Sequence, residues 1–272
     1  MRFAKGHGTG NDFVLLPDPD GKLELTAELA RALSDRHTGI GADGVIRIVH
    51  DERGWFMDHR NADGSLGDMC GNGARLFARY VVDSGLAPPG RMSLWTRAGV
   101  RQLDVPAAGD VSVDMGKPAV LDEQPNVDGR AAIAVSMGNP HVVVNLDDTA
   151  DLRALDLTIP PTVTPPRPHG QNVEFVVRGV GRELIMRVHE RGVGETQSCG
   201  SGVCAAVVAT VVGDTAERDQ RWTVDVPGGR LQVCWRSTGE VTLTGPAVVV
   251  ASGELDDAWM AAVADLTPAP AR

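Results

Sequence analysis

The alternation of apolar and polar positions divides the chain into short segments, most of them strand-like. After the glycine-rich turn Gly6-His7-Gly8-Thr9-Gly10-Asn11, the apolar run Phe13-Val14-Leu15-Leu16 predicts a buried strand. Leu29, Ala30 and Leu33 then recur at helical spacing behind Thr26, an N-cap residue type, which predicts a helix over 27–36. Runs over 45–49 and 55–58 predict two further strands, leading to the polar turn Arg60-Asn61-Ala62-Asp63-Gly64-Ser65. A helical period returns from about Asn72 to Ser84 and is stopped by Gly85 and Pro88-Pro89. Val111-Ser112-Val113-Asp114-Met115 alternates as a strand, and the polar, proline-bearing stretch 117–130 predicts a crossing into a second half. There the stretch 202–212 predicts a helix without a single charged residue, which strands should therefore enclose on every side. Pro160 to Pro168 reads as a loop delivering His169-Gly170-Gln171-Asn172, and 267–272 as a frayed tail.

The two halves are copies of one plan. Cys70-Gly71-Asn72-Gly73-Ala74 and Cys199-Gly200-Ser201-Gly202-Val203 share a cysteine that opens a glycine-broken turn into an apolar helix, 129 positions apart. Met57 and Met186 keep that shift, while Gly10-Asn11-Asp12-Phe13-Val14 and Gly138-Asn139-Pro140-His141-Val142 are related by 128. A repeat within 272 residues predicts two domains facing each other across a cleft. The expected halves are 1–117 and 118–251, with a C-terminal tail from about 252 to 272 that packs back on the first. The fold class expected is α/β (α+β): each half a mixed, mostly antiparallel sheet curled around one buried helix, with its cysteine at that helix's N-terminus.

Composition sharpens this picture at three points. Aromatic residues make up only 4% of the chain, so the core must be built from Val, Leu, Ile and Ala. A net charge of −10, with arginines scattered and not clustered, argues against nucleic acid and against an anionic membrane surface. No leader pattern and no membrane-length apolar run is present, so a cytoplasmic protein is expected, and four cysteines in so long a chain are too few for a disulfide framework.

Free cysteines are commonly just small buried apolar residues, and Cys204 and Cys234 are read that way. Cys70 and Cys199 differ because they stand in one repeated motif at predicted helix N-termini. Such a terminus presents unpaired N–H groups and a partial positive charge, which favour a thiolate and can hold a carboxylate. The dipole lowers a thiol pKa of about 8.5 by less than one unit, so neighbours must do the rest of the tuning, and His141 and Glu190 are the candidates. Two thiols in one small cavity favour a state with one thiolate and one thiol, a base on one side and an acid on the other. A carbon that loses a proton to one face and gains one on the other is inverted; the implied reaction is racemisation or epimerisation beside a carboxylate. The scheme needs no cofactor and no metal. Gly39-Ile40-Gly41-Ala42-Asp43-Gly44 matches G-x-G-x-x-G but follows a predicted helix and precedes a strand, the reverse of a dinucleotide site, so it is read as a turn lining the cleft.

These motifs, together with Met137-Gly138-Asn139-Pro140-His141, Asn172-Val173-Glu174-Phe175, His189-Glu190-Arg191-Gly192 and Leu243-Thr244-Gly245-Pro246-Ala247, make the chain resemble the diaminopimelate epimerase family over nearly its whole length. The resemblance implies a cofactor-independent isomerase that converts LL- to meso-diaminopimelate, in lysine and peptidoglycan precursor synthesis, and works as a homodimer. It implies Cys70 and Cys199 as the acid/base pair, with His141 and Glu190 tuning them. Gly71, Asn72, Gly200 and Ser201 would then hold the carboxylate at the reacting centre. Asn11, Asn61, Asn139, Asn172, Glu190 and Arg191 would bind the substrate's other groups, Arg191 pairing the distal carboxylate. Some members carry glutamine where Gly44 stands, so only backbone can contribute there; Ser201 replaces the usual threonine and keeps the hydroxyl. The rivals are a proline racemase-like isomerase, whose smaller substrate would leave Arg191, Asn139 and Asn172 without a group to bind, and a thiol hydrolase, which gives no reason for a second matched cysteine.

Overall fold

A computed structural model describes residues 1–265; the expected frayed tail, 267–272, lies outside them. The chain forms two compact units, one of residues 1–8, 12–111 and 247 onward, the other of 9–11 and 112–246. The switch back to the first unit thus comes at 246/247. Val248–Glu254, most of which the sequence reading assigned to the second half, pairs antiparallel with Arg2–Gly8 in the first unit. The following helix, Asp257–Asp265, packs on helix Ala27–Ser34.

In the first unit, strands Asn11–Pro17 and Gly44–Asp51 run parallel with Phe13 opposite Gly44, and Gly54–Asn61 pairs antiparallel with the latter, Asn61 opposite Gly44. Helix Ala27–Ser34 is capped by Thr26, whose hydroxyl accepts from the Leu29 N–H at 3.1 Å. It is shorter than its periodicity predicts because Asp35 turns its carboxylate onto the N–H groups of His37 and Thr38. The Gly39–Gly44 stretch then closes that helix's C-terminus, the N–H groups of Ile40 and Gly41 both donating to the Leu33 carbonyl. Leu29, Ala30 and Leu33 meet Val14, Leu16 and Val45 in one core.

The second unit repeats the arrangement in register. Strands Pro140–Leu146 and Asn172–Arg178 run parallel with His141 opposite Asn172, and Glu183–Glu190 pairs antiparallel with the latter. Phe13 and His141, like Gly44 and Asn172 and like Ile46 and Glu174, are thus structural counterparts. The repeated Gly-Asn turns share a backbone requirement: φ is +81° at Gly10 and +96° at Gly138, a region glycine enters without steric cost.

Each unit has a central helix, Gly71–Asp83 in the first and Gly200–Gly213 in the second. In the latter every residue from Gly202 to Val211 is buried, as the absence of charge requires, and it packs on strands of the second unit. It starts two residues before its predicted start because Cys199 itself is the N-cap. A sheet with parallel and antiparallel pairs around one apolar helix is the fold expected from the repeat. Among the described residues no helix is long and apolar enough to cross a membrane.

Candidate active site

Both motif cysteines cap their helices with sulfur. Cys70 and Cys199 have extended backbones, with φ/ψ of −133°/118° and −110°/112°, and each Sγ accepts the N–H three residues on, from Gly73 and from Gly202, at 3.4 Å in both cases. The Ala74 and Val203 N–H groups make the first helical bonds, to the carbonyls of Cys70 and Cys199 at 2.8 and 2.9 Å. The N–H groups before them in each first turn lie outside the ladder of helical bonds, and those of Gly73 and Gly202 turn to the capping sulfurs. Sulfur and N–H donors thus sit together at a positive helix end, the arrangement that suits a thiolate beside a carboxylate. No described cysteine is in a disulfide.

Around Cys199 the second unit assembles a continuous polar chain. Ser201 Oγ lies 3.5 Å from Cys199 Sγ and accepts from Asn139 Nδ2 at 3.3 Å. Asn139 Oδ1 lies 3.0 Å from His141 Nε2, and His141 Nδ1 lies 2.7 Å from Glu174 Oε1, with the His141 and Glu174 side chains fully buried. Glu190 acts on the Cys199 thiol through its charge and accepts from the Thr196 hydroxyl. Asn172 and Arg191 are joined separately: the amide oxygen of Asn172 accepts the Arg191 N–H at 2.9 Å, while the exposed Arg191 guanidinium donates to the His169 carbonyl at 3.3 Å.

The first unit surrounds Cys70 differently. Asn72 is 1% exposed and its Oδ1 accepts from Arg75 Nη2 at 3.0 Å; Arg75, wholly buried, also donates to the Gly71 carbonyl. Asn61, at the end of its strand, donates to Ser65 Oγ at 2.9 Å. Asn11 opens the strand that carries Phe13 and is grouped with the second unit. Glu174 and Arg75 are not among the candidate residues; Glu174 lies inside a quoted motif and Arg75 directly follows one, and a charged side chain in an otherwise apolar stretch is the signal that finds them.

Burial pushes the Cys199 thiol well above the ordinary range, and the nearby carboxylates of Glu190 and Glu174 push it further. Burial also raises Glu190, with Glu174 adding to it. At neutral pH Cys199 is thus held as a thiol, the state of an acid and not of a base. Above about pH 8.5 the unfolded chain releases this proton while the folded chain keeps it, so stability falls as pH rises from there toward the folded value. Chemical denaturation at stepped pH should show that decline, and it should be shallower in Cys199→Ala; equal slopes would contradict the burial argument.

The family model for diaminopimelate epimerase matches residues 3–121 and 133–250. A diaminopimelate epimerase of Streptomyces coelicolor is 45% identical, the alignment covering 97% of this chain and 98% of that protein. Two solved structures show the same fold. A phenazine biosynthesis protein of the PhzF family from Bacillus anthracis superposes with a TM-score of 0.73 at 16% identity, covering 94% of this chain and 98% of that one. A probable proline racemase from Agrobacterium radiobacter superposes at 0.69 with 15% identity, covering 94% and 93%. Given an epimerase match that spans both repeats and both thiol-capped helices, the chain belongs to the diaminopimelate epimerase family.

Proposed function

We propose that the protein inverts one α-carbon of diaminopimelate, interconverting the LL and meso forms, with Cys70 and Cys199 as the two acid/base groups. The observation that carries this reading is the matched pair of sulfur-capped helix N-termini, in a chain that the family model matches over both halves. One thiolate takes the α-proton, so an S–H bond forms as the C–H bond breaks, and the electron pair moves into the adjacent carboxylate. Helix N–H groups at Gly71, Asn72, Gly200 and Ser201 stabilise that developing charge. The opposite thiol then gives its proton to the other face of the carbon and becomes the thiolate. Protons and charge balance over the cycle, and the two sulfurs finish with their roles exchanged.

Asn61, Asn139, Asn172, Glu190 and Arg191 bind the amino and carboxylate groups, Arg191 at the distal centre, and Asn11 joins them. The isomerase acts without a cofactor, as a cytoplasmic homodimer. Its product has the chemistry needed for lysine synthesis and for a peptidoglycan cross-link.

Incubation with LL- or meso-diaminopimelate in deuterated water, with no cofactor added, should place one deuterium at the α-carbon as the isomers equilibrate. Unlabelled substrate recovered from a folded sample would defeat the reading. Labelling of proline in its place would favour the racemase-like alternative.

A further inference from the structure

Glu174 has no role in the reaction so far. Its side chain is fully buried, one oxygen meets His141 Nδ1 at 2.7 Å, and the other, Oε2, has no hydrogen-bond partner. A buried carboxylate with an unsatisfied oxygen is costly, so packing does not account for it. The first unit shows what packing alone uses at this place. Phe13 and Ile46 are the counterparts of His141 and Glu174 in the strand register. They also lie against the counterpart glycine: a Cβ added at Gly73 would sit 2.9 Å from Ile46 and 3.5 Å from Phe13, and one added at Gly202 would sit 2.6 Å from Glu174 Oε1. An apolar pair supports the Cys70 helix, and an ionisable pair supports the Cys199 helix.

We propose that Glu174 is a positioning residue for Cys199, holding His141 so that a directed chain of hydrogen bonds runs through Asn139 and Ser201 to the sulfur. This rests on the assignment of Cys199 as an acid/base group. Both ring nitrogens of His141 face oxygens, Glu174 Oε1 and Asn139 Oδ1, so the ring donates at both ends when it carries two protons. Asn139 Nδ2 then donates to Ser201 Oγ, and the Ser201 hydroxyl hydrogen points to Cys199 Sγ, where it stabilises the thiolate left after proton delivery. The other titratable group near His141 and Cys199 is Glu190, from strand Glu183–Glu190; it accepts from the Thr196 hydroxyl and lies outside this chain.

Glu174→Gln keeps the shape and removes the charge. At the wild-type optimum kcat should fall about 10- to 100-fold, the scale of a charged hydrogen bond, with KM changed less than about threefold. Glu174→Asp, which keeps a carboxylate for the His141 ring, should recover part of the rate. A folded E174Q whose kcat matches wild type would overturn the proposal, as would a variant that loses thermal stability alone. If E174Q does not fold, the double variant His141→Phe, Glu174→Ile carries the first unit's own packing pair. The same loss of kcat there supports the proposal, and kcat within about threefold of wild type overturns it. Cys199→Ala separates the two levels: if it is inactive while E174Q is unaffected, only the role of Glu174 fails.

Discussion

Alanine at Cys70 or at Cys199 is expected to lower epimerisation by about 10²–10⁴-fold, the contribution of a positioned acid or base. The loss should come in an informative form. With one thiol left, a proton can still be removed from one face of the α-carbon and replaced from solvent on that same face. Each single variant should therefore exchange the α-hydrogen of one stereoisomer without inverting it, and the two variants should act on opposite isomers. Mass and chirality measured on the same sample in deuterated water read both results. An alanine variant that inverts either isomer within about tenfold of the wild-type rate would remove its cysteine from the mechanism.

Alanine at Gly202 is the second large effect, and it is expected to cost far more than alanine at the equivalent Gly73. At Gly202 the new methyl would stand 2.6 Å from Glu174 Oε1, which is held 2.7 Å from His141 in a fully buried site and has nowhere to go. At Gly73 it would stand 2.9 Å from the end of the Ile46 side chain, which can change rotamer. Overpacking of this kind costs about 1–3 kcal/mol. Gly202→Ala should reach the upper end and also reduce kcat, because the Glu174 to Cys199 chain is broken; Gly73→Ala should stay near the lower end. Denaturation midpoints with steady-state rates of both variants test this. Equal costs at the two positions would show that Glu174 is not a rigid element.

Much of this molecule is legible from the order of its residues. The matched cysteine turns, the uncharged second helix and the Thr26 cap each rest on local patterns of period and residue type, and each is found where those patterns place it. The helix starts were misplaced by one or two residues because a cysteine is not an expected cap, yet its sulfur accepts the same N–H that a serine would. The return of Val248–Glu254 to the first unit was set too late, since which edge a strand joins is decided by partners far away in sequence.

The chemistry divides along the same line. Repetition is a linear property, so a single reading of the chain suffices to find two thiols at two helix ends and to imply a two-base inversion. The difference between those thiols is not linear. His141, Glu174, Glu190 and Cys199 come from three strands and a helix, and only their packing takes them out of water together. Charge in a buried group depends on what surrounds it in three dimensions, which is why two nearly identical motifs have unlike surroundings: one helix start lies against an apolar pair and a buried arginine, while the other cysteine is held as a thiol by burial and by the carboxylates of Glu190 and Glu174.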